Sequence, residues 1–315
     1  MLIKSIFITL CALYSGYPFA QIEPESSQIQ IKDTRGLQIL SKVPVKVAAL
    51  NWDIAEQVLE LGVVPVAMPN ITGYSEWVVR PEVPSSVQDI GTRVEPNIER
   101  LAELKPDVII ISSPQVDLIP RLERIAPVLT FETFSADHDN VKAAIQNFRS
   151  IAKVLGKQMY AEEKLERMFY ELDQLKNKLE TAYEGKLPTV AAFRFSSTSS
   201  IYLYGDNSIT QFALQQLGVS PALPQPPTQW GVTQKRLNAL FELTDESVAL
   251  YFKPFEQEKK VTNSVLWKAM PLVRSHRVNS VSAVWNYGGA MSILYNAQVL
   301  STALLEIAPN TVKMN

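Results

Sequence analysis

One cysteine occurs in the 315 residues, Cys11, and only two histidines, His138 and His276. So small a supply of thiols and imidazoles excludes a disulfide framework, and it leaves a transition-metal site without its usual ligands. Ser/His/Asp catalysis would have to recruit one of those histidines, and neither has a suggestive neighbourhood. His276 sits in Arg274-Ser-His-Arg277, a basic turn that reads as solvated surface. No glycine-rich loop of the Walker or dinucleotide type is present. Neither sign of charge prevails, with 30 basic and 32 acidic residues. No basic stripe is interleaved with aromatics, so nucleic acid is excluded as an expected partner. Apolar runs fall short of the ~20 residues that a membrane helix requires, which argues against insertion.

What the N-terminus does contain is the pattern of a secretory signal. Lys4 supplies the positive end, Ile6 to Tyr14 is apolar, and Tyr17-Pro-Phe-Ala20 offers a small residue for cleavage. Residues 1–20 are therefore expected to be removed, taking Cys11 with them, and the remainder to be a soluble protein of the periplasm. Thr9-Leu10 precede Cys11 where a lipoprotein signal would need small residues, so no lipid anchor is expected. Residues 21–42 are polar without a clear period and are expected to be a loosely ordered lead-in.

From Val43 to about Phe134 short apolar strands alternate with short helices, which implies a mostly parallel sheet with right-handed crossovers. Strands are expected at Lys46 to Leu50, Val64 to Ala67, Val108 to Ile111 and Val128 to Phe131, and helices at Asp53 to Leu61 and Asp117 to Ile125. Between 140 and 185 the period changes. Val141, Ala144, Ile145, Phe148, Ala152 and Leu155 form a helical stripe, briefly interrupted at Gly156-Lys157 and continued by Ala161, Leu165, Met168, Leu172, Leu175 and Leu179. A coiled-coil partner would explain so long a run. A spacer between lobes explains it better, because the α/β alternation resumes at Pro188.

Strands are then expected at Thr189 to Phe195, Ile201 to Tyr204 and Ser247 to Phe252. Helices are expected at Ile209 to Leu217, Gln234 to Phe241 and Ala290 to Ile307. Pro221-Ala-Leu-Pro-Gln-Pro-Pro227 must be surface loop. The expected fold class is α/β, with two lobes, each a mostly parallel sheet with flanking helices, joined by one long helix. The first lobe would span 43–139, the linking helical region 140–185 and the second lobe 186–315.

The most informative segment is Gly91-Thr-Arg-Val-Glu-Pro-Asn-Ile-Glu-Arg-Leu-Ala-Glu-Leu-Lys-Pro-Asp-Val-Ile-Ile-Ile111. It reads as a loop presenting Arg93, a helix capped by Asn97 and stopped at Lys105-Pro106, then a strand buried on both faces. Taken alone it could be an ordinary βα repeat. Four of the five tryptophans add to it by standing beside loop signals: Trp52, Trp77, Trp230 and Trp285. In a two-lobed α/β protein, loops at the carboxyl ends of strands are where ligands bind. Indoles there can wall an apolar pocket whose few polar groups fix orientation, although Trp52 and Trp285 could equally be core. Trp267 has helical neighbours and reads as structural. Arg93 carries a planar fork of donors suited to hydroxamate or carboxylate oxygens.

The 91–111 block resembles the first lobe of binding proteins that feed bacterial iron-siderophore and vitamin B12 importers. The likeness narrows to the periplasmic ferric-hydroxamate (ferrichrome-type) binding family. It is carried by Ala48-Ala-Leu-Asn-Trp52, Tyr74-Ser-Glu-Trp-Val78, Gly91-Thr-Arg-Val-Glu-Pro-Asn97, Tyr204-Gly-Asp-Asn-Ser208, Trp230-Gly231, Leu266-Trp-Lys-Ala-Met-Pro-Leu-Val-Arg274 and Ala283-Val-Trp-Asn-Tyr-Gly288. The resemblance implies a Fe(III)-siderophore ligand of the hydroxamate type with no intrinsic cofactor. It also implies delivery to an inner-membrane ABC permease, a monomeric state and little closure on binding. The family's hydroxamate-contacting arginine falls on Arg93, and its pocket aromatics fall on Trp52, Trp77, Trp230, Trp285 and Tyr287; Tyr74 is expected among the ligand-binding residues with them. Its pocket tyrosine falls on Gln115, so a linear hydroxamate or a citrate-hydroxamate is as plausible as a cyclic one. Where relatives place an acidic docking residue, this chain has Pro120, flanked by Asp117 and Glu123.

Other readings stay open at this point. They are a heme or cobalamin receptor, a periplasmic hydrolase using carboxylates such as Asp206 and Glu256, and an interaction-only scaffold.

Overall fold

In the computed structural model the described residues are 28–309 apart from His138. The expected signal segment with Cys11, the start of the lead-in, His138 and residues 310–315 lie outside them. The first lobe contains β3 (Val47–Ala49), α1 (Trp52–Glu60), β4 (Ala67–Met68), α2 (Ile71–Trp77), β5 (Gln88–Asp89), α3 (Ile98–Leu104), β6 (Val108–Ile111), α4 (Ile119–Leu122) and β7 (Val128–Thr130). Its sheet runs in the order β5-β4-β3-β6-β7 with every pair parallel. Val108 to Ile111 are buried throughout, as a strand covered on both faces requires. Asn97 accepts from the Arg100 N–H at 2.9 Å and starts α3. Lys105, left-handed at φ 49°, ends it ahead of Pro106.

The expected loose lead-in is instead partly ordered. Ile29–Asp33 (β1) and Gly36–Leu40 (β2) form an antiparallel hairpin turning at Gly36, whose φ of 111° suits glycine. It docks on the first lobe through Thr34 N–H to the Thr130 carbonyl at 2.9 Å, and through Asp33, which accepts from Thr130 N–H at 3.0 Å. Only Ile31 and Leu40 of its apolar side chains are buried, which is why the strand pattern is faint in the sequence.

The linking run is two helices: α5 (Asn140–Val154), capped by Asp139, and α6 (Gln158–Ala182). Gly156, at φ 66°, separates them. The buried stripe of α6, from Ala161 to Leu179, faces α5, α7 (Ile209–Gln216) and α11 (Met291–Glu306) of the same chain, so no partner helix is needed to cover it.

The second lobe holds β8 (Thr189–Phe195), β9 (Ser200–Tyr204), α7 (Ile209–Gln216), β10 (Val232–Arg236), β11 (Ser247–Phe252), three short helices α8 (Glu258–Thr262), α9 (Val265–Ala269) and α10 (Pro271–Arg274), β12 (Val278–Val281) and α11 (Met291–Glu306). Its sheet order is β10-β9-β8-β11-β12. β8, β11 and β12 are parallel, whereas β9 and β10 join antiparallel, so this sheet is mixed. The helix expected at Gln234 to Phe241 is in fact edge strand β10 followed by a 3-10 turn over Leu237–Glu242. Leu237 and Leu240 are the buried residues there, and their spacing of three imitates a helical stripe. Trp267 lies within an aromatic cluster with Phe195 and Tyr251 on the outer face of this sheet, a structural position.

One continuous apolar cluster runs through both lobes by way of α1, α5, α6 and α11. Inside it α1 meets the second lobe through carboxyl groups. Glu56 accepts from Ser292 Oγ at 2.8 and 2.9 Å and from Gly289 N–H at 3.2 Å. One turn further on, Glu60 is bonded by Tyr295 and Lys164. A Cβ on Gly288 would sit 2.2 Å from Glu56 Oε2, and one on Gly289 would sit 2.2 Å from Gln57 Cγ, so only glycine permits this approach.

Burial, with a smaller contribution from neighbouring carboxylates, pushes Glu56 up to about 8, from an ordinary value of 4.5. The folded state thus holds its proton more tightly than the unfolded chain does. That contribution is complete below about 4.5 and is lost as pH rises through about 8. Glu56→Gln, which keeps the neutral form, is expected to gain on the wild type by up to ~1.4 kcal/mol for each pH unit across this window. Urea unfolding of both proteins at several pH values checks it; parallel stability curves would show that Glu56 does not titrate there.

Candidate binding cleft

A cavity of about 530 Å³ opens between the lobes. Asn51, Asp53, Arg93, Val94, Ser112, Ser113, Pro114, Thr133 and Phe134 line it from the first lobe, and Tyr202, Trp230, Val232, Trp285 and Tyr287 from the second. A concavity of about 550 Å³ lies beside the N-terminal hairpin, and its Arg149 is engaged by Glu162.

Trp52 begins α1, directly after the Asn51 cap, and donates Nε1–H to the Pro69 carbonyl at 3.0 Å. Its ring passes so near Gly73 that a Cβ there would lie 2.9 Å from Cζ2. Arg93 comes from the loop after β5, which leaves the strand at Gly91 with φ 91°. The guanidinium stands 3.9 Å above the Trp52 ring and 5.9 Å from that of Trp285, within cation–π range of both.

The rings form a continuous series across the cleft. Trp52 meets Trp285 at 5.3 Å, Trp285 meets Tyr287 at 5.4 Å, and Tyr287 meets Trp230 at 6.3 Å and Phe134 at 6.0 Å. Phe134 and Trp230 stack at 5.9 Å and 29°. Trp230 remains 44% exposed at the mouth.

Buried polar contacts hold the second-lobe wall. Asn286 donates to Thr210 Oγ1 at 2.9 Å and to Asn296 Oδ1 at 2.8 Å, which fixes the loop bearing Trp285 and Tyr287. Asn207 donates to the Thr228 carbonyl at 2.8 Å and to that of Ser135 at 3.1 Å, tying the Trp230 loop to the segment after β7. Burial raises the Tyr287 phenol above its ordinary value, against the pull of the Arg194 charge.

Of the residues singled out in the sequence, Arg93, Trp230, Trp285 and Tyr287 line the cavity and Trp52 underlies Arg93. Three others are placed elsewhere. Tyr74 is fully buried against the edge of Trp52 at 6.4 Å, as part of the core. Trp77 is the last residue of α2 and faces Arg194 at 5.3 Å, away from the cavity lining. Gln115 is fully buried with its amide already engaged: Nε2 donates to the Arg93 carbonyl at 2.9 Å, and Oε1 accepts from Ser112 N–H at 3.3 Å. It braces the Arg93 loop from behind. Asp206 and Glu256, the carboxylates of the hydrolase reading, are exposed and absent from the lining, and so is His276.

Phe134, Tyr202 and Asp53 are lining residues that the sequence reading missed. Phe134 follows the carboxyl end of β7, so the rule that drew notice to Trp52 applies to it equally. Among the described residues no three His, Cys, Asp or Glu side chains are grouped to hold a metal ion, and no helix is long and apolar enough to cross a membrane.

Two α/β lobes flanking an aromatic cleft, with a long helix across the back, define a two-lobed solute-binding protein. The chain belongs to the periplasmic binding protein family, whose pattern matches residues 47–280. It is 30% identical over 262 residues to the iron(3+)-hydroxamate-binding protein FhuD of Escherichia coli (strain K12), covering 83% of this chain and 87% of that one. It is 24% identical over 291 residues to the Fe(3+) dicitrate-binding periplasmic protein FecB of the same organism, covering 90% and 89%. The crystal structure of the siderophore-binding protein FhuD from Vibrio cholerae, bound to Fe3+-Desferal, superposes with a TM-score of 0.82 at 51% identity, over 84% of this chain and 99% of that one.

Truncating Gln115 to Ala would strip the half-buried Arg93 carbonyl and the buried Ser112 N–H of their partners. We expect a stability loss of about 1–3 kcal/mol and a severalfold drop in ligand affinity as the Arg93 loop loosens. Urea unfolding and fluorescence titration measure the two. An unchanged affinity would separate the brace from the site.

Proposed function

We propose that the protein is a periplasmic receptor that captures Fe(III)-hydroxamate siderophores and delivers them, as a monomer, to an inner-membrane ABC permease. The observation that carries this reading is the unbroken series of rings from both lobes, with the Arg93 guanidinium set between Trp52 and Trp285. A siderophore surrounds ferric iron with its own oxygens, so the protein has to recognise the outside of the complex. Indoles and phenols suit its carbon skeleton. A guanidinium suits hydroxamate oxygens, which keep lone pairs and partial negative charge after binding iron. Arg93 is half-buried, and desolvation pulls its pKa down from the ordinary arginine value while Asp53 opposes that shift. Donors in such partly dry surroundings bind more strongly than in open water.

The family likeness to hydroxamate-binding proteins supports the same assignment, and the expected signal segment supports export. The reading makes the protein a carrier and not an enzyme.

Arg93→Ala is expected to weaken binding of Fe(III)-desferrioxamine at least tenfold while leaving the unfolding midpoint close to that of the wild type. Tryptophan quenching is a direct readout, since indoles form the wall. Equal affinities for the two proteins would remove Arg93 from the site, and no saturable quenching of the wild type by any ferric hydroxamate would remove the function.

A further inference from the structure

Asp53 and Arg93 are the only charged side chains among the described residues lining the cleft. Asp53 occupies the second position of α1, next to Trp52, and is 3% exposed. Its Oδ2 is 3.5 Å from Thr133 Oγ1, and the Ser112 hydroxyl and the first N–H groups of α1 face the carboxylate. Arg194 stands outside the lining, behind Tyr287, with its guanidinium shared between the Tyr287 phenol and the Trp77 ring.

We infer that Asp53 determines which ferric complexes the cleft accepts: its carboxylate balances Arg93, so neutral or cationic complexes enter and anionic ones, such as ferric citrate, are turned away. The inference rests on the siderophore reading and sharpens it. Hydroxamates release one proton each on binding iron, so a complete ring of them cancels the ferric charge. Citrate brings more carboxylates than the iron can neutralise, and its complexes stay negative. A lone guanidinium would draw such anions in. A carboxylate beside it, out of contact with water, repels them at short range where solvent screens little.

Aromatic walls hold neutral and cationic ligands alike, and a cation gains further from the ring faces. Burial pushes the Asp53 carboxyl up to about 6, an increase that nearby donors and Arg93 hold back. The group therefore still carries its charge at pH 7.5.

The test titrates wild type, Asp53→Asn and Asp53→Glu at pH 7.5 with Fe(III)-desferrioxamine, which is cationic, and with ferric citrate, following tryptophan quenching. For Asp53→Asn the ratio of the two affinities is expected to move at least roughly tenfold toward ferric citrate, and for Asp53→Glu to stay within about threefold of wild type. Matching thermal unfolding of the three proteins shows that they are folded; should Asp53→Asn fail this, Asp53→Ser carries the same comparison. An unchanged ratio, with tight desferrioxamine binding kept, overturns the role of Asp53 and leaves the hydroxamate function standing. A wild type that prefers ferric citrate overturns both.

Discussion

A carboxyl group sealed inside the molecule fixes the distance between the two walls of the cleft. Glu56 reaches from α1 to Ser292 and to the Gly289 N–H, and everything in the site is measured from that junction. On α1, Trp52, Glu56 and Glu60 follow one another at intervals of four residues, so they share one face of the helix. The first places an indole under Arg93, and the other two grip the second lobe. Across the junction the same short loop carries Trp285, Tyr287 and Gly289. Wall and weld are therefore built from the same few residues on each side. The weld is polar, inside an apolar cluster that spans both lobes, so it specifies where the lobes meet as well as holding them together.

This arrangement governs what motion is available. Hinge closure would have to pull the buried carboxyl of Glu56 off two donors and that of Glu60 off Tyr295 and Lys164. The α6 helix, 25 residues long, adds a strut that bends poorly. Edge-to-face ring contacts prop the cleft open, since each ring is wedged by its neighbour at 5 to 6 Å and none can rotate into the space without leaving another unsupported. The cavity is thus preformed, and binding needs little ordering of the protein.

How much of this the sequence discloses depends on the kind of interaction. The α/β class, the parallel first sheet and the Arg93 loop were legible because they follow from local patterns: an apolar run at Val108 to Ile111, a cap at Asn97, a stop at Lys105-Pro106. Indoles beside turn signals are unusual, and Trp52, Trp230 and Trp285 stand at the cleft, whereas Trp77, with the same signal, ends α2 outside the lining. The N-terminal hairpin was not, because its stability comes from docking on Thr130 and its alternation buries only two apolar side chains. β10 was misread because Leu237 and Leu240 belong to a 3-10 turn whose period resembles a helix over so short a stretch.

Gln115 marks the limit most clearly. Alignment with a pocket tyrosine put it in the cleft, but an amide can satisfy two backbone groups at once, and the Arg93 carbonyl and the Ser112 N–H, from two neighbouring segments, are both within its reach. Phe134 and Asp53 escaped notice for different reasons. The phenylalanine looks like any residue at the end of an apolar run. The aspartate looks like a favourable first-turn acid, and its relation to Arg93 exists only in three dimensions.

A receptor for a metal that arrives fully coordinated must divide recognition differently from a metalloprotein. Affinity has to come from surface that any organic ligand possesses, and aromatic rings supply it without regard to identity. Selectivity must then come from the few polar groups, and in this cleft they act through net charge more than through directed bonds. One guanidinium between two indoles can orient an oxygen-rich face. One carboxylate beside it removes the attraction that a bare cation would hold for every anion. The ligand must later be released to a transporter, so a site that is open, preformed and electrically balanced serves better than one that closes around its cargo. The rigid junction at Glu56 makes that possible, because rings held apart by the fold need no binding energy to stay apart.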